Sequence, residues 1–371
     1  MRVLVVSGIW PPDVGGPASH APEVAEFLRG RGHQVSVVVT ADGPPAPEAY
    51  PVHWVSRRVP PGPRHLAVML EIARRARSAS VVYSTGMVGR SGYGTALAGR
   101  PLVFKLTSDP VYERSLRYGL AGGDLDAFQR EHGLRIDLLR RARDHALGRA
   151  AAVVCPSESL RRLAIGWGLD PGRVTRLPNP VVAPSDLAPR EELRRRLGLD
   201  GRTLVFAGRL TPQKSLEVAL DAIAATEGIE LVLVGDGPRR AELEARAAGL
   251  PVRFLGAQPR HTVFEWLRAA DASLLASSWE NFPHVVVEAL AVGTPVIATA
   301  VGGVPEIVRD GENGLLVRPG DPAALAAAIG RFFAEPDLGA RLRAAAAPSA
   351  ERFAPGEIYG ELERILEAAA R

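Results

Sequence analysis

The sequence predicts an α/β chain of two Rossmann-like domains, each built on a parallel sheet. Short apolar runs alternate with amphipathic stretches from end to end, as successive βα units require. A length of 371 residues with 46% hydrophobic side chains supplies two packed cores. Halfway along, Leu177-Pro178-Asn179-Pro180-Val181-Val182-Ala183-Pro184 cannot continue a helix, because each proline removes a donor and holds its predecessor extended. That seam reads as the linker. The expected division is residues 1–180, residues 181–350 and a terminal helix within residues 351–371.

In chain order, the first strand is expected at residues 2–7, on Val3-Leu4-Val5-Val6. Asp13-Val14-Gly15-Gly16-Pro17 follows as a turn, then a helix to about Gly30 with Val24, Phe27 and Leu28 on one face. Further strands are expected at residues 34–39, 52–55, 80–85, 102–106 and 151–156. The second half repeats the pattern at residues 203–207, 230–234, 252–255, 272–276, 295–299 and 314–317. Pro283 opens a helix that Gly293 closes. Ile358, Leu362, Ile365 and Leu366 recur at helical spacing, so the last stretch, from Gly356 to Ala370, has an apolar face to bury.

Composition narrows the function classes. No apolar run is long enough to cross a bilayer, and the N-terminal run is too short for a secretion signal, so a cytoplasmic protein is expected. Cys155 is the only cysteine, which excludes an intrachain disulfide and a cysteine-cluster zinc site; its neighbours Val153 and Val154 mark it as core. The histidines show no zinc-binding spacing. Asp124-Leu125-Asp126 imitates a metal-binding aspartate pair, but Ala121-Gly122-Gly123 precedes it where a buried strand is needed, so it reads as a decoy.

Charge divides unevenly. Residues 1–180 carry a net charge of +9 and residues 181–371 one of −5. The cationic half suits an anionic or lipid-linked acceptor, peripheral contact with the inner face of a membrane, or simply solvent. Nucleic acid would call for a module that the sequence lacks. Residues 128–150 sharpen the same choice, with Arg130, Arg135, Arg140, Arg141, Arg143 and Arg149 interleaved with leucines as on a membrane-surface helix or an ordinary soluble one.

Two carboxylates lie eight positions apart in Trp279-Glu280-Asn281-Phe282-Pro283-His284-Val285-Val286-Val287-Glu288. They straddle the turn from an apolar strand into the Pro283 helix. A helix entrance has unpaired N–H groups that attract phosphate, and carboxylates beside it accept hydrogen bonds from hydroxyls. Phosphate beside hydroxyls points to a nucleotide sugar. Alone, two glutamates at this spacing would be a solvated face. Leu204 to Lys214 is a strand and turn carrying Arg209 and Lys214, two cations placed to clasp a diphosphate.

With Gly293-Thr294-Pro295-Val296-Ile297-Ala298-Thr299, Gly302-Gly303-Val304-Pro305-Glu306-Ile307-Val308 and Asp310-Gly311-Glu312-Asn313-Gly314-Leu315-Leu316-Val317, this stretch resembles the retaining glycosyltransferases of family 4. The resemblance implies the GT-B fold, two Rossmann-like domains facing across a cleft, with the C-terminal helix returning to the first. It implies metal-independent transfer from a nucleoside-diphosphate sugar, a substrate rather than a cofactor, in cell-surface polysaccharide, glycolipid or secondary glycoside synthesis. Glu288 would hold the donor ribose and Glu280 would lie near the transferred sugar, with Asn281, Phe282 and Pro283 beside the donor. Arg209 and Lys214 match the diphosphate motif, although Ser215 stands where relatives usually have glycine. Gly15 and Gly16 match the N-terminal loop, Gly235-Asp236-Gly237-Pro238 lies near the nucleobase, and Gly256 offers backbone to the base. Where many relatives carry a histidine near the sugar, this chain has Thr107, flanked by Lys105 and Asp109 as sugar or acceptor candidates. His284 is expected on the helix surface.

Three rivals remain. A nucleotide-sugar epimerase of the same fold would need no acceptor. A nicotinamide-dependent oxidoreductase would need the G-x-G-x-x-G turn that is missing here. A non-catalytic sugar-binding protein is the third.

Overall fold

The computed structural model describes residues 1–13, 16–121 and 125–371. They form two units, Met1–Pro178 with Ile358–Arg371, and Asn179–Glu357. The chain passes between units within the proline-rich seam.

The first unit holds seven strands among the described residues: β1 (Arg2–Ser7), β2 (Gln34–Ala41), β3 (Val52–Ser56), β4 (Val81–Ser84), β5 (Leu102–Lys105), β6 (Ala152–Cys155) and β7 (Val174–Arg176). Their order is β3-β2-β1-β4-β5-β6-β7, and all pairings are parallel. Val5 lies opposite Val37 on one side and Tyr83 on the other. Successive residues face opposite layers: Val5, Tyr83 and Val103 join one core and Leu4, Val82 and Phe104 the other. Burial on both faces explains why these strands read as continuous apolar runs.

The second unit holds six: β8 (Arg202–Ala207), β9 (Ile229–Val234), β10 (Val252–Gly256), β11 (Ala272–Leu275), β12 (Val296–Thr299) and β13 (Gly314–Val317). Their order is β10-β9-β8-β11-β12-β13, again parallel. Each sheet therefore reverses its strand order once, between β1 and β4 and between β8 and β11. The carboxyl ends of such strand pairs are where open α/β sheets bind ligands.

All twelve apolar segments form strands, with ends shifted by a residue or two. β7 escaped the sequence reading because Val174-Thr175-Arg176 is too short and too polar to stand out; pairing with β6 makes it a strand.

The last helix, Pro355–Ala370, buries Ile358, Tyr359, Leu362 and Leu366 in the first unit beside Val24 and Leu28. The Tyr359 hydroxyl donates to Glu23 at 2.7 Å, and Glu363 accepts from Arg31 Nε at 3.1 Å and pairs with His33 Nε2 at 2.7 Å. No helix among the described residues is long and apolar enough to cross a membrane.

Candidate functional site

Arg209, Lys214, Glu280 and the turn to Pro283 lie on the loops that leave β8 and β11, the two strands flanking the reversal in the second sheet. Short range laces these loops together. Gln213 Nε2 donates to the Trp279 carbonyl at 2.9 Å, and the Ser278 amide donates back to the Gln213 carbonyl at 2.9 Å. Thr299 Oγ1, at the end of β12, donates to the Ser277 carbonyl at 2.7 Å.

Glu280 is 7% exposed. Its Oε1 receives Ser277 Oγ at 2.7 Å and forms an ion pair with Lys214 Nζ. Cation and carboxylate, read from the sequence as partners for different parts of a ligand, are here each other's partners. Gly302 fixes the main chain behind them, because its φ of +50° is the left-handed region and a Cβ there would fall on the Glu280 carbonyl oxygen. Arg209, on the same loop as Lys214, is exposed.

Ser215 sits at φ 45°, ψ 45°. The left-handed backbone is kept without the residue that adopts it at least cost. Gly235 and Gly237 are required by close approach: a Cβ on either would strike the main chain of Gly208 or Leu210. The Leu210 amide donates to the Asp236 carbonyl at 2.9 Å and the Gly235 amide to the Gly256 carbonyl at 2.8 Å, so the loops after β8, β9 and β10 form one laced edge.

Helix His284–Ala291 starts at Pro283 with no side-chain cap. Glu288 lies in its second turn rather than at its entrance. Its side chain is 14% exposed and accepts from Arg260 at 3.2 Å; burial pushes its carboxyl up, and the arginine partly opposes that. Phe282 turns its ring into the core, edge-on to Phe353 at 5.6 Å, so its side chain anchors the loop. One expectation is corrected here. His284 is half-buried rather than a surface residue, with Nε2 3.0 Å from Asn179 Nδ2.

In the first unit, Gly16 begins helix Gly16–Gly30, while Gly15 and Asp124 lie outside the described residues. Asp109 is an interior group. It caps helix Pro110–Arg117 by accepting from the Val111 amide at 2.9 Å, pairs with buried Arg143 at 2.9 Å and accepts from Gln129 at 3.1 Å. Lys105 is 2% exposed, and its Nζ has no hydrogen-bond partner among the described residues. Thr107 is half-buried on the same loop. Cys155 is buried, which pushes its thiol up to about 12.

The basic stretch is less uniform than its sequence. Arg143 lies 3.5 Å above the Trp167 ring centroid, and Arg140 donates to the Glu131 and Phe128 carbonyls at 2.6 Å each. These two arginines build the interior, while Leu134 is 94% exposed. Among the described residues, His33, Glu363 and Glu367 could hold a cation, but Glu363 already serves His33 and Arg31, whose charge opposes one.

Sequence reasoning missed Arg260, Ser277 and Gln213, whose signal lies only in contacts across 28, 3 and 66 positions of chain.

A family model described as glycosyl transferases group 1 matches residues 189–348, and one described as glycosyl transferase 4-like domain matches residues 15–180. A D-inositol 3-phosphate glycosyltransferase of Acidothermus cellulolyticus is 32% identical over 393 residues, covering 92% of this chain and 83% of that protein. One of Streptomyces scabiei is 42% identical over 184 residues, but the match spans 44% of this chain and 41% of the relative. Among solved structures, Anabaena Alr3699/HepE in complex with UDP has a TM-score of 0.80 at 23% identity, covering 99% of this chain and 100% of that one. The same protein has also been solved with UDP-glucose, with a TM-score of 0.77.

Proposed function

This chain belongs to the family 4 glycosyltransferases of GT-B fold, and from that premise we propose that it transfers a sugar from a nucleoside-diphosphate donor to an acceptor hydroxyl, with retention of configuration and without a metal ion. The observation that carries the reading is the Lys214–Glu280 pair at the reversal point of the second sheet, with Arg209 exposed on the same loop as Lys214.

The donor diphosphate takes Arg209 and Lys214, whose charges stabilise it as the glycosidic bond breaks. Lys214 leaves Glu280 for the phosphate, and Glu280 then turns to the sugar hydroxyls. Glu288, already desolvated, accepts from the ribose in place of Arg260. The uncapped N–H groups of helix His284–Ala291 add partial positive charge. The acceptor oxygen bonds to the anomeric carbon on the face from which the diphosphate departs, and a phosphate oxygen takes the hydroxyl proton. Uridine diphosphate sugars are the first donors to try, because the HepE neighbour was solved with UDP and with UDP-glucose.

Replacing Lys214 with alanine is expected to slow donor turnover about 30- to 1,000-fold, which corresponds to roughly 2–4 kcal/mol of lost transition-state stabilisation. Turnover within a few-fold of wild type would sink the assignment, and abolition by a chelator would end the metal-free reading. Conversion of the donor to an epimer with no acceptor present would favour an epimerase instead.

A further inference from the structure

Asn179 stands between two prolines, Pro178 and Pro180, where the chain enters the second unit. Pro180 restricts its predecessor to extended backbone, so the Asn179 side chain has a rigid mount. It is 8% exposed, and its Nδ2 lies 3.0 Å from Nε2 of His284, 105 positions along the chain. An amide nitrogen only donates, so Nε2 accepts and the ring is neutral with its proton on Nδ1. A neutral ring suits the place, because His284 is the first residue of helix His284–Ala291 and a helix entrance disfavours a cation.

A second set of contacts closes a circuit around the same entrance. Two residues beyond Asn179, the Val181 amide donates to the Phe353 carbonyl at 3.1 Å, which ties the entering segment to the one that leads into the last helix. Phe353, 1% exposed, meets the Phe282 ring edge-on at 5.6 Å, and the Phe282 ring meets the His284 ring edge-on at 6.4 Å. Pro283 between them has no N–H, and no side chain caps the helix. The side chains on either side of Pro283 thus both reach the segments by which the chain enters and leaves the second unit. The Glu280 side of the loop is fastened elsewhere, to the ends of β8 and β12 through Gln213 and Thr299.

Such contacts do more than tether a linker, because of what the loop holds. Glu280 and His284 are four positions apart on it, held from different sides. On the transferase reading Glu280 meets the sugar and the helix N–H groups meet the diphosphate as it takes on charge. Groups of this kind help only where their position is set before the bond breaks. We infer that Asn179 and His284 are positioning residues for the transfer: their hydrogen bond holds the entrance of helix His284–Ala291 where the departing diphosphate meets it. Asn179 acts through His284. The role rests on the transferase reading above; the contacts do not.

The test uses the full-length protein as wild type, Asn179→Ala, His284→Ala, His284→Gln and the double alanine variant, at a temperature where each is folded. Diphosphate release from UDP-, GDP- and ADP-glucose gives turnover, and calorimetry with UDP, GDP and ADP gives affinity. Each single alanine change is expected to lower turnover and affinity for the preferred diphosphate about tenfold or more. The double variant should be no worse than the weaker single, because both changes remove one bond. His284→Gln should return turnover to within about threefold of wild type, since a glutamine Oε1 can accept from Asn179 where Nε2 did. A lowered melting temperature with turnover and affinity unaltered would overturn the role, as would additive losses or no recovery with glutamine. If Asn179→Ala does not fold, His284→Ala against His284→Gln decides, since His284 is only half-buried. If wild-type protein turns over no nucleotide sugar while diphosphate affinity still follows the pair, the transferase reading falls and the positioning of the helix entrance stands. Turnover that ignores the pair gives the reverse. Wild-type protein that neither binds a nucleoside diphosphate nor turns over a sugar overturns both.

Discussion

Lys105 and Lys214 are the only lysines among 45 basic residues, and their surroundings give them opposite properties. Lys214 is paired with Glu280, and both side chains are largely buried. Lys105 ends β5 with a buried, unpartnered amine, and burial pushes its pKa from 10.5 down to about 7. Between those values the folded amine is neutral while the unfolded one carries a proton. Stability therefore rises with pH across that window and is lost as pH falls toward 7. At about 1.4 kcal/mol per pH unit the full effect is on the order of 3–5 kcal/mol. Lys105→Met should raise the melting temperature at pH 7 and flatten its rise between pH 7 and 10. Thermal melts across that range check this, and parallel curves for the two proteins would disprove it.

At the scale of elements, the candidate donor site is a set of loops held by close backbone approach. Strand β8 ends in a turn that hydrogen-bonds to the loops after β9 and β11, and glycines occur where two main chains touch. Gly302 is the sharpest case. Gly302→Ala should cost at least about 2 kcal/mol, since it combines a left-handed φ with a clash against a carbonyl. Because the carbonyl belongs to Glu280, donor affinity should fall along with the melting temperature; a fall in stability with unaltered donor binding would show that this turn does not position Glu280. The glycine motif was legible in the sequence, but its reason was not, because Gly302 and Glu280 meet only when β12 lies beside β11. Ser215 is the complementary case, a departure visible in the sequence whose left-handed backbone only the fold displays.

At the scale of the molecule, the first unit is discontinuous, completed by a helix from the far end of the chain. Leu362 is 1% exposed there, so Leu362→Ala should destabilise that unit by about 2–5 kcal/mol. Calorimetry should show the loss as a lowered transition for the first unit, and an unchanged thermogram would contradict the packing.

The sequence by itself determined the two parallel sheets, the seam between them and the loops that carry the candidate donor residues. Hydrophobic alternation, proline and glycine act over a few residues, and a linear pattern records them faithfully. Only the tertiary structure decided which polar groups meet. It paired Lys214 with Glu280, sealed Lys105, and turned Arg143 toward Asp109 and Phe282 into the core. Charge pairing and desolvation depend on distances set by strand order, and strand order joins residues that the sequence keeps far apart.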